Sequence, residues 1–325
     1  MKNNQIGIVG LGYWGTNIIN ALYKLKKVDI VCYDKNEDNS KEIKKKFRKA
    51  KIVKSFDEFL KLKLDGVIVS VSTSHLFSVA KRCLLAGHNI FIEKPVSENL
   101  TKLKILEKIA KRKKRFIMSG YIYYYNNYIH YIKKIIRKNH LGKILYVNFE
   151  RSNLGPVRND LSSAWDLSSH DLSICIYLFS KKINIIHSYG HDILKKKIND
   201  ISYISAKIRN FYVDIKSSWL HPEKVRKIVI VGKKRMLLFN EIDFNNPIKI
   251  FDKYAFYPKT KKFNKSFFTQ KANIYLGKTH IPKIKSTSPL DNELNEFLNC
   301  IKLKKNPKTS IKIAHYVMKV LQKLN

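Results

Sequence analysis

The sequence predicts two domains of different class. The first is an α/β domain on a parallel sheet with helices on both faces; the second is an α+β domain with a mostly antiparallel sheet. Three observations predict this. The 325 residues suffice for two hydrophobic cores. Over the first third, short runs apolar on both faces alternate with segments of helical spacing, as in a parallel sheet buried between helices. Beyond about residue 120, closely spaced β-like runs replace the alternation and suit antiparallel pairing. The boundary is placed between residues 121 and 122, with the final helix free to pack back on the first domain.

The elements follow in order. Ile6–Val9 is a strand ending in glycines, and Thr16–Lys26 carries Ile18, Ile19, Leu22 and Leu25 at helical spacing. Asp29–Tyr33, Lys51–Val53, Asp65–Val71, Asn89–Ile92 and Arg115–Ser119 read as further strands. Between them lie the helical stretches Lys41–Phe47, Phe56–Leu62, His75–Ala86 (ending at Gly87) and Leu100–Lys111. Asn126–Lys138 then reads as helix, Ile144–Phe149 as extended chain and Leu172–Leu178 as helix. From Ile183 to Tyr257 several β-like runs follow, among them Ile201–Ile208, Phe211–Trp219 and Arg226–Val231, with turns at His221-Pro222 and Gly232. Ser288-Pro289 supplies an N-cap and a first-position proline for a helix over Leu290–Ile301, and Ile311–Leu324 is the last helix.

Composition narrows the class. Hydrophobic residues at 44% and aromatics at 12% fit a folded protein. No apolar run approaches the roughly 20 residues of a membrane-spanning helix. The first strand begins too early for a secretory leader, and four cysteines without CxxC spacing suggest neither zinc nor disulfides, so a reducing cytoplasm is expected. The net charge of +39 has two readings: a polyanion partner, or lysine used wherever a solvated surface permits. Basic clusters at Lys44–Lys46, Lys111–Arg115, Lys195–Lys197, Lys233–Arg235 and Lys259–Lys262 are spread along the whole chain. In the helix near residue 105, Leu103, Leu106, Ile109 and Ala110 form one face and the lysines fall mostly elsewhere. The solvated reading is preferred, with neither a specific nucleic-acid partner nor a membrane expected.

Chemistry concentrates at the carboxyl ends of the strands of the first domain. Gly10, Gly12 and Gly15 form GxGxxG around Leu11, Tyr13 and Trp14 where a strand enters a helix. Such glycines permit the tight turn, the approach of a pyrophosphate and close helix packing, which is the dinucleotide-binding pattern of a Rossmann domain. Asp34, at the end of the second strand, would accept hydrogen bonds from an adenosine ribose and repel a 2′-phosphate. NAD is therefore favoured over NADP, although Lys35 stands beside it. Ser72 and Thr73 end the fourth strand, where they could line the cofactor; His75 could do the same or cap the next helix. Glu93-Lys94-Pro95 ends the fifth strand, and proline there would hold Lys94 near a nicotinamide.

Together these residues resemble the Gfo/Idh/MocA oxidoreductases, the family of glucose–fructose oxidoreductase and inositol 2-dehydrogenase. The resemblance rests on GIVGLGYWG at residues 7–15, Asp34, AGHNIFIEKP at 86–95, Gly120 followed by Tyr125-Asn126, and WDLSSHDLS at 165–173. It implies a catalytic set of Lys94, Asp166 and His170, with either Lys94 or His170 as the base. It also implies that Glu93 and Lys94 contact the cofactor and that Tyr121, Asn126 and Arg158 contact the substrate. Alternatively, Asp166 is a helix cap and His170 a satisfied surface side chain. Arg151, Asn153 and Arg158 would suit a diphosphate or carboxylate, or be ordinary solvated groups.

The sequence departs from the family pattern at Ser168 (usually glycine), at Ser173 (usually acidic), and at Asn127 (usually proline), and Asp171 directly follows His170. This version of the motif resembles a subgroup of bacterial surface-polysaccharide biosynthesis. The implied reaction is hydride transfer between nicotinamide and a secondary alcohol of a sugar, nucleotide sugar or cyclitol, by a dimer or tetramer of this chain. The rival readings are a non-catalytic dinucleotide-binding regulator and a reductase of the same fold acting on a non-sugar substrate.

Overall fold

The computed structural model describes residues 3–25, 28–179, 181–256 and 272–324. The chain divides into two units, Met1–Asn127 with Ser286–Gln322, and Tyr128–Lys285 with Lys323–Asn325. In the first unit β1 (Asn4–Val9), α1 (Tyr13–Lys24), β2 (Val28–Tyr33), α2 (Glu37–Lys46), β3 (Lys51–Ile52) and α3 (Phe56–Lys61) follow one another. Then come β4 (Gly66–Val69), α4 (Thr73–Leu85), β5 (Ile90–Ile92), α5 (Leu100–Lys113), β6 (Ile117–Ser119) and a 3-10 turn at Ile122–Tyr125. The strands form a parallel sheet in the order β3-β2-β1-β4-β5-β6. The chain leaves β1 toward one edge and returns to its other side at β4, creating the switch point at which open α/β sheets bind ligands. Ile6, Ile8, Val67, Ile68 and Val69 are fully buried, as expected of strands covered on both faces.

Helix starts in this unit are of two kinds. The side chains of Asn36, Ser55 and Asn99 accept backbone N–H bonds and cap α2, α3 and α5. α1 and α4, which begin beside the switch point, start at Gly12 and Ser72 with no side-chain cap and no acidic residue in the first turn. At the α1 start this leaves the first backbone amides without a side-chain acceptor.

The second unit opens with α6 (Asn127–Arg137), β7 (Ile144–Ser152), a π-helical turn at Ala164–Ser168 and α7 (Ser169–Leu178). β8 (Asn184–His191), β9 (Ile201–Ile208), β10 (Phe211–Ser218), β11 (Val225–Gly232), β12 (Met236–Asn240), β13 (Ile248–Phe256) and β14 (Asn273–His280) complete it. The sheet order is β14-β13-β12-β11-β7-β10-β9-β8, antiparallel except where β7 runs parallel to β10. One face carries Ile204, Ala206, Val213, Ile215, Ile228 and Ile230, all at most 2% exposed. Ring contacts of Tyr128 with Phe239 and of Phe179 with Phe211 join this face to the two helices.

α8 (Pro289–Leu303) and α9 (Ile311–Leu321) follow, and both lie in the first unit. Phe297 packs edge-on against Phe91 and Phe116, and Gly66 leaves room for Phe297 and Ile301. Ser119 N–H donates to Thr309 O (2.7 Å), and Ser310 bridges to Met118 at the β6 edge. The division therefore falls between Asn127 and Tyr128 rather than at 121/122, and α8 as well as the final helix lies with the first unit.

Both expectations of class hold. Many element boundaries differ by one to four residues, and the starts of α7 and β6 differ for local reasons. α7 begins at Ser169 because the hydroxyls of Ser169 and Ser173 bond back to the carbonyls of Asp166 and His170, which lets a polar stretch stay helical. β6 starts at Ile117 because Lys114 takes a left-handed C-cap (φ 54°) and Arg115 N–H closes on Ala110 O. α9 stops at Leu321. The expected helix end at Lys26, the run end at Tyr257 and the basic cluster Lys259–Lys262 lie outside the described residues.

Candidate functional site

β1 delivers the chain into the glycine turn. Gly10 has φ +95°, and a Cβ there would sit 2.7 Å from the Ser70 backbone. A Cβ on Gly15 would lie 2.1 Å from Gly10 O, whereas one on Gly12 would meet nothing within 4 Å. Gly10 and Gly15 are thus required by the fold itself. Gly12 is not, and the open space above it adjoins the uncapped, acid-free start of α1, a geometry that favours an anion. Trp14 lies within the first turn of α1, and Tyr13, its first residue, is 84% exposed.

Asp34 does more than the sequence suggests. Its Oδ2 accepts Leu11 N–H (2.6 Å) and Asn39 Nδ2 (3.2 Å), and its Oδ1 accepts Asn36 N–H (2.8 Å). The carboxylate therefore ties the glycine turn to the end of β2. It offers about four acceptor positions, so three internal bonds still leave capacity for a ribose hydroxyl. These groups fit a bound dinucleotide. At the end of β4, Ser70 Oγ donates to Gly10 O (2.8 Å). His75 Nδ1 lies 3.0 Å from Ser72 Oγ and 2.9 Å from Ser74 Oγ, so the imidazole is held by hydroxyls at the start of α4. Thr73 is the first residue of that helix.

The Glu93-Lys94-Pro95 segment leaves β5 with a cis Lys94-Pro95 peptide. Glu93 Oε1 accepts Trp14 Nε1–H and Oε2 accepts Lys94 N–H (3.2 Å). Gly120 leaves room for this carboxylate, since a Cβ there would stand 2.8 Å from Oε2. Glu293 of α8 is 1% exposed, and its Oε1 meets no hydrogen-bond partner among the described residues. Burial pushes Glu93 up to about 7, against the Trp14 N–H bond, the Lys94 charge and the Lys94 amide. Burial and then the Glu93 charge push Glu293 well above the usual carboxylate range. Two N–H bonds favour the charged form of Glu93, while Glu293 Oε1 accepts none among the described residues, so a proton shared by the pair is favoured on Glu293. Sequence reasoning missed Glu293. Its signal was a carboxylate among Leu290, Leu294 and Phe297 on the apolar stripe of α8. Nearby, Tyr121 and Asn126 are 2% and 4% exposed at the two ends of the 3-10 turn.

In the second unit the π-helical turn carries Asp166 and the first turn of α7 carries His170. Asp166 N–H donates to Ser162 O (3.0 Å), so Asp166 lies inside helical backbone and is not the helix cap that the alternative reading required. Trp219 Nε1–H donates to Asp166 Oδ2 (3.3 Å), and Arg158 Nη1 stands 4.0 Å from Asp166 Oδ1. Arg158 is forked on Asp160 at 2.8 and 2.7 Å, and that bond holds the Asp160 carboxyl below its ordinary range. Two of the departures from the family pattern find partners, Ser173 on His170 O (2.6 Å) and Asp171 on Arg151, whereas the buried Ser168 hydroxyl meets none among the described residues. Asp171 is buried with Arg151, whose Nε and Nη2 reach it at 2.8 to 3.1 Å; burial pushes this carboxyl up and Arg151 pulls it down. Asn153 Oδ1 accepts Arg226 Nη2 (2.6 Å). Arg151 and Asn153, offered by the sequence as anion ligands, are thus committed to the fold.

Among the described residues no group of His, Cys, Asp and Glu could hold a metal ion, and no helix is long and apolar enough to cross a membrane. Residues 4–121 match the sequence model of the Gfo/Idh/MocA oxidoreductase family, described as its NAD-binding Rossmann fold, which bears out the resemblance drawn from the motifs. The chain is similar to the myo-inositol 2-dehydrogenase of Thermotoga maritima, 24% identical over 214 residues, or 63% of each chain. It is similar also to the glucose-6-phosphate 3-dehydrogenase of Bacillus subtilis, 26% identical over 189 residues, 54% of this chain and 53% of that one. Matches to curated relatives span 40% to 63% of those proteins' own length. In three dimensions it resembles the UDP-N-acetylglucosamine 3-dehydrogenase of Acidithiobacillus ferrooxidans, with a TM-score of 0.80 over 100% of this chain and 97% of that one. At 19% identity that likeness speaks for the fold alone.

Proposed function

We propose, from the premise that residues 4–121 belong to the Gfo/Idh/MocA oxidoreductase family, that this protein is an NAD-dependent dehydrogenase of a secondary alcohol on a sugar, nucleotide sugar or cyclitol. The observation that carries the reading is the open space above Gly12 at the uncapped start of α1, clamped by Asp34. A bound nicotinamide supplies a hydride acceptor, and the side chains of this chain do the rest. The amides of α1 hold the pyrophosphate, while Asp34 accepts from the ribose and repels a 2′-phosphate, favouring NAD over NADP. Ser72, Thr73, His75 and Glu93 complete the proposed cofactor contacts.

Lys94 and His170 are assigned to the hydroxyl proton. A histidine can take it near neutral pH, and a lysine ammonium can stabilise developing alkoxide character. Asp166 holds the substrate hydroxyl or orients the imidazole, while Arg158, Tyr121 and Asn126 bind the substrate. The dehydrogenase relatives support the alcohol substrate, and the WDLSSHDLS motif supports a place in surface-polysaccharide biosynthesis in the cytoplasm. A dimer or tetramer would use the outward face of the eight-stranded sheet, where Tyr189 stacks on Tyr203.

The test is to denature the purified protein, look for released NAD(H), and screen nucleotide sugars and cyclitols by reduced-nicotinamide absorbance. On the substrate found, Lys94→Ala and His170→Ala should each lower kcat at least 100-fold. Full turnover in both would remove the site assignment.

A further inference from the structure

Two basic runs that lie far apart in the sequence meet in the second unit. On α6 and the residue just past it, His130, Lys133, Lys134, Arg137 and Lys138 recur at steps of three and four, which places them on one side of the helix. They line a concavity of about 400 Å³ whose opposite wall is Tyr177 of α7. Lys133 Nζ stands 3.5 Å from the centre of that ring. Immediately beyond Lys138, Asn139 and His140 line a second basin of about 760 Å³. Its other walls are Lys233, Lys234 and Arg235 from the β11–β12 turn, with Tyr254 and Tyr275 stacked on each other.

The junction is fixed by backbone. Lys233 N–H donates to Lys143 O (2.9 Å) and Lys234 N–H to Leu141 O (3.0 Å). Gly142, at φ +72°, permits the approach, since a Cβ there would lie 2.9 Å from Lys234 Cγ. Counter-charge is scarce. No Asp or Glu occurs from Lys108 to Phe149 or from Lys224 to Asn240. Among the described residues Asp252 is the one carboxylate lining the two basins, and it is already bonded by Arg235 and His280. Lys133, Lys134, Arg137 and Lys138 have no ion pair among the described residues. Lys133 with Arg137, and Lys134 with Lys138, are like-charged neighbours one turn apart, an arrangement that costs helix stability until an anion screens it. Burial and then Arg137 push the Lys133 ammonium below its ordinary range, the response of a cation lacking a counter-ion.

We propose that this face of the second unit is a binding site for a polyphosphate group, several linked phosphates reaching from the α6 cations to those of the β11–β12 turn. The two concavities share no lining residue, so linked phosphates are the form of anion that engages both. The walls are concave and carry tyrosines, which suits a compact anion better than the regular phosphate rows of a duplex. The site uses none of the residues assigned to the dinucleotide or to catalysis.

The experiment is calorimetric titration of the full chain with sodium tripolyphosphate at 150 mM salt, with ATP, AMP and inorganic phosphate as further arms and a DNA duplex as competitor. Three variants are compared: Lys134→Glu/Arg137→Glu/Lys138→Glu on α6, Lys233→Glu/Lys234→Glu at the turn, and Lys111→Glu/Arg112→Glu/Lys113→Glu on α5. Thermal unfolding confirms that each is folded, and the second changes side chains whose structural bonds are made by backbone. Tripolyphosphate should bind at least tenfold more tightly than phosphate, and the α6 and turn variants should each lose at least tenfold. The α5 variant, with the same change of charge as the first, should stay within twofold. ATP binding like tripolyphosphate would mark a nucleotide as the source of the phosphates, and tripolyphosphate alone an inorganic chain. Equal losses in the α5 and α6 variants, or tighter binding of the duplex than of tripolyphosphate, would overturn the proposal.

Discussion

Two buried acids show how one residue can govern the chemistry of its neighbours. Burial pushes Glu93 up to about 7 and, with the Glu93 charge, pushes Glu293 well above the usual carboxylate range, so the folded state binds protons that the unfolded chain releases near pH 4.5. The stability from this pair is fully present below about pH 4.5 and declines as pH rises through 7. For Glu93, which keeps some accessible surface, the loss is on the order of 2 kcal/mol. Glu293→Gln should flatten the fall in thermal stability between pH 5 and 8 and be the more stable form above pH 7. The same slope in both proteins would show that the pair does not titrate in that window. Asp160, Asp243 and Asp252, held low by their partners, act in the opposite sense and only in more acid solution.

A second contrast at this scale concerns the arginines. Asp171→Ala strands Arg151 in a 6% exposed position and should cost about 3–5 kcal/mol in denaturant unfolding. Arg158→Ala, at a 31% exposed fork, should cost under about 1 kcal/mol. Similar losses would mean that Asp171 is not the structural partner of Arg151. The sequence could not separate the two, because which arginine is buried depends on a carboxylate 20 residues away on α7.

Among the elements, the glycine turn separates folding from binding. Gly12→Ala adds a methyl that touches nothing, on backbone with φ −65°, so melting should stay within about 2 °C while NAD affinity falls at least tenfold. Gly15→Ala drives Cβ against Gly10 O and should lower stability as well as affinity. A Gly12→Ala protein that binds NAD like the parent would show that the open space is not the cofactor's. The strands of the first unit were legible because their apolar runs are bounded by Gly10, Asp34 and Gly87, and GxGxxG gave the turn its chemistry. The π-helical turn was not, since serine-rich helical backbone reads as loop until its hydroxyls find carbonyls. Nor was the packing of α8 legible: its apolar stripe says that it is buried, and only the fold says that Phe91 and Phe116 bury it.

Over the whole molecule the question is what a charge of +39 does. Along the sequence the lysines look evenly dispersed, and on α5 they do occupy the solvated side of the helix. Folding changes the distribution, since the Lys233–Arg235 turn is pinned by backbone to Leu141 and Lys143, and its cations line a basin with Asn139 and His140, just past the basic run of α6. Sequence distance concealed that basin, as it concealed the parallel pairing of β7 with β10 inside an otherwise antiparallel sheet. The dinucleotide site was visible for the opposite reason: it is assembled chiefly from β1, the turn and the end of β2, within 30 residues.

The central claim is tested most directly by titrating the purified protein, freed of bound nucleotide, with NAD and with NADP. NAD should bind at micromolar concentration and at least tenfold more tightly than NADP, with the preference reversed or abolished in Asp34→Ala. Failure of NAD to bind, or tighter binding of NADP to the parent protein, would contradict the account.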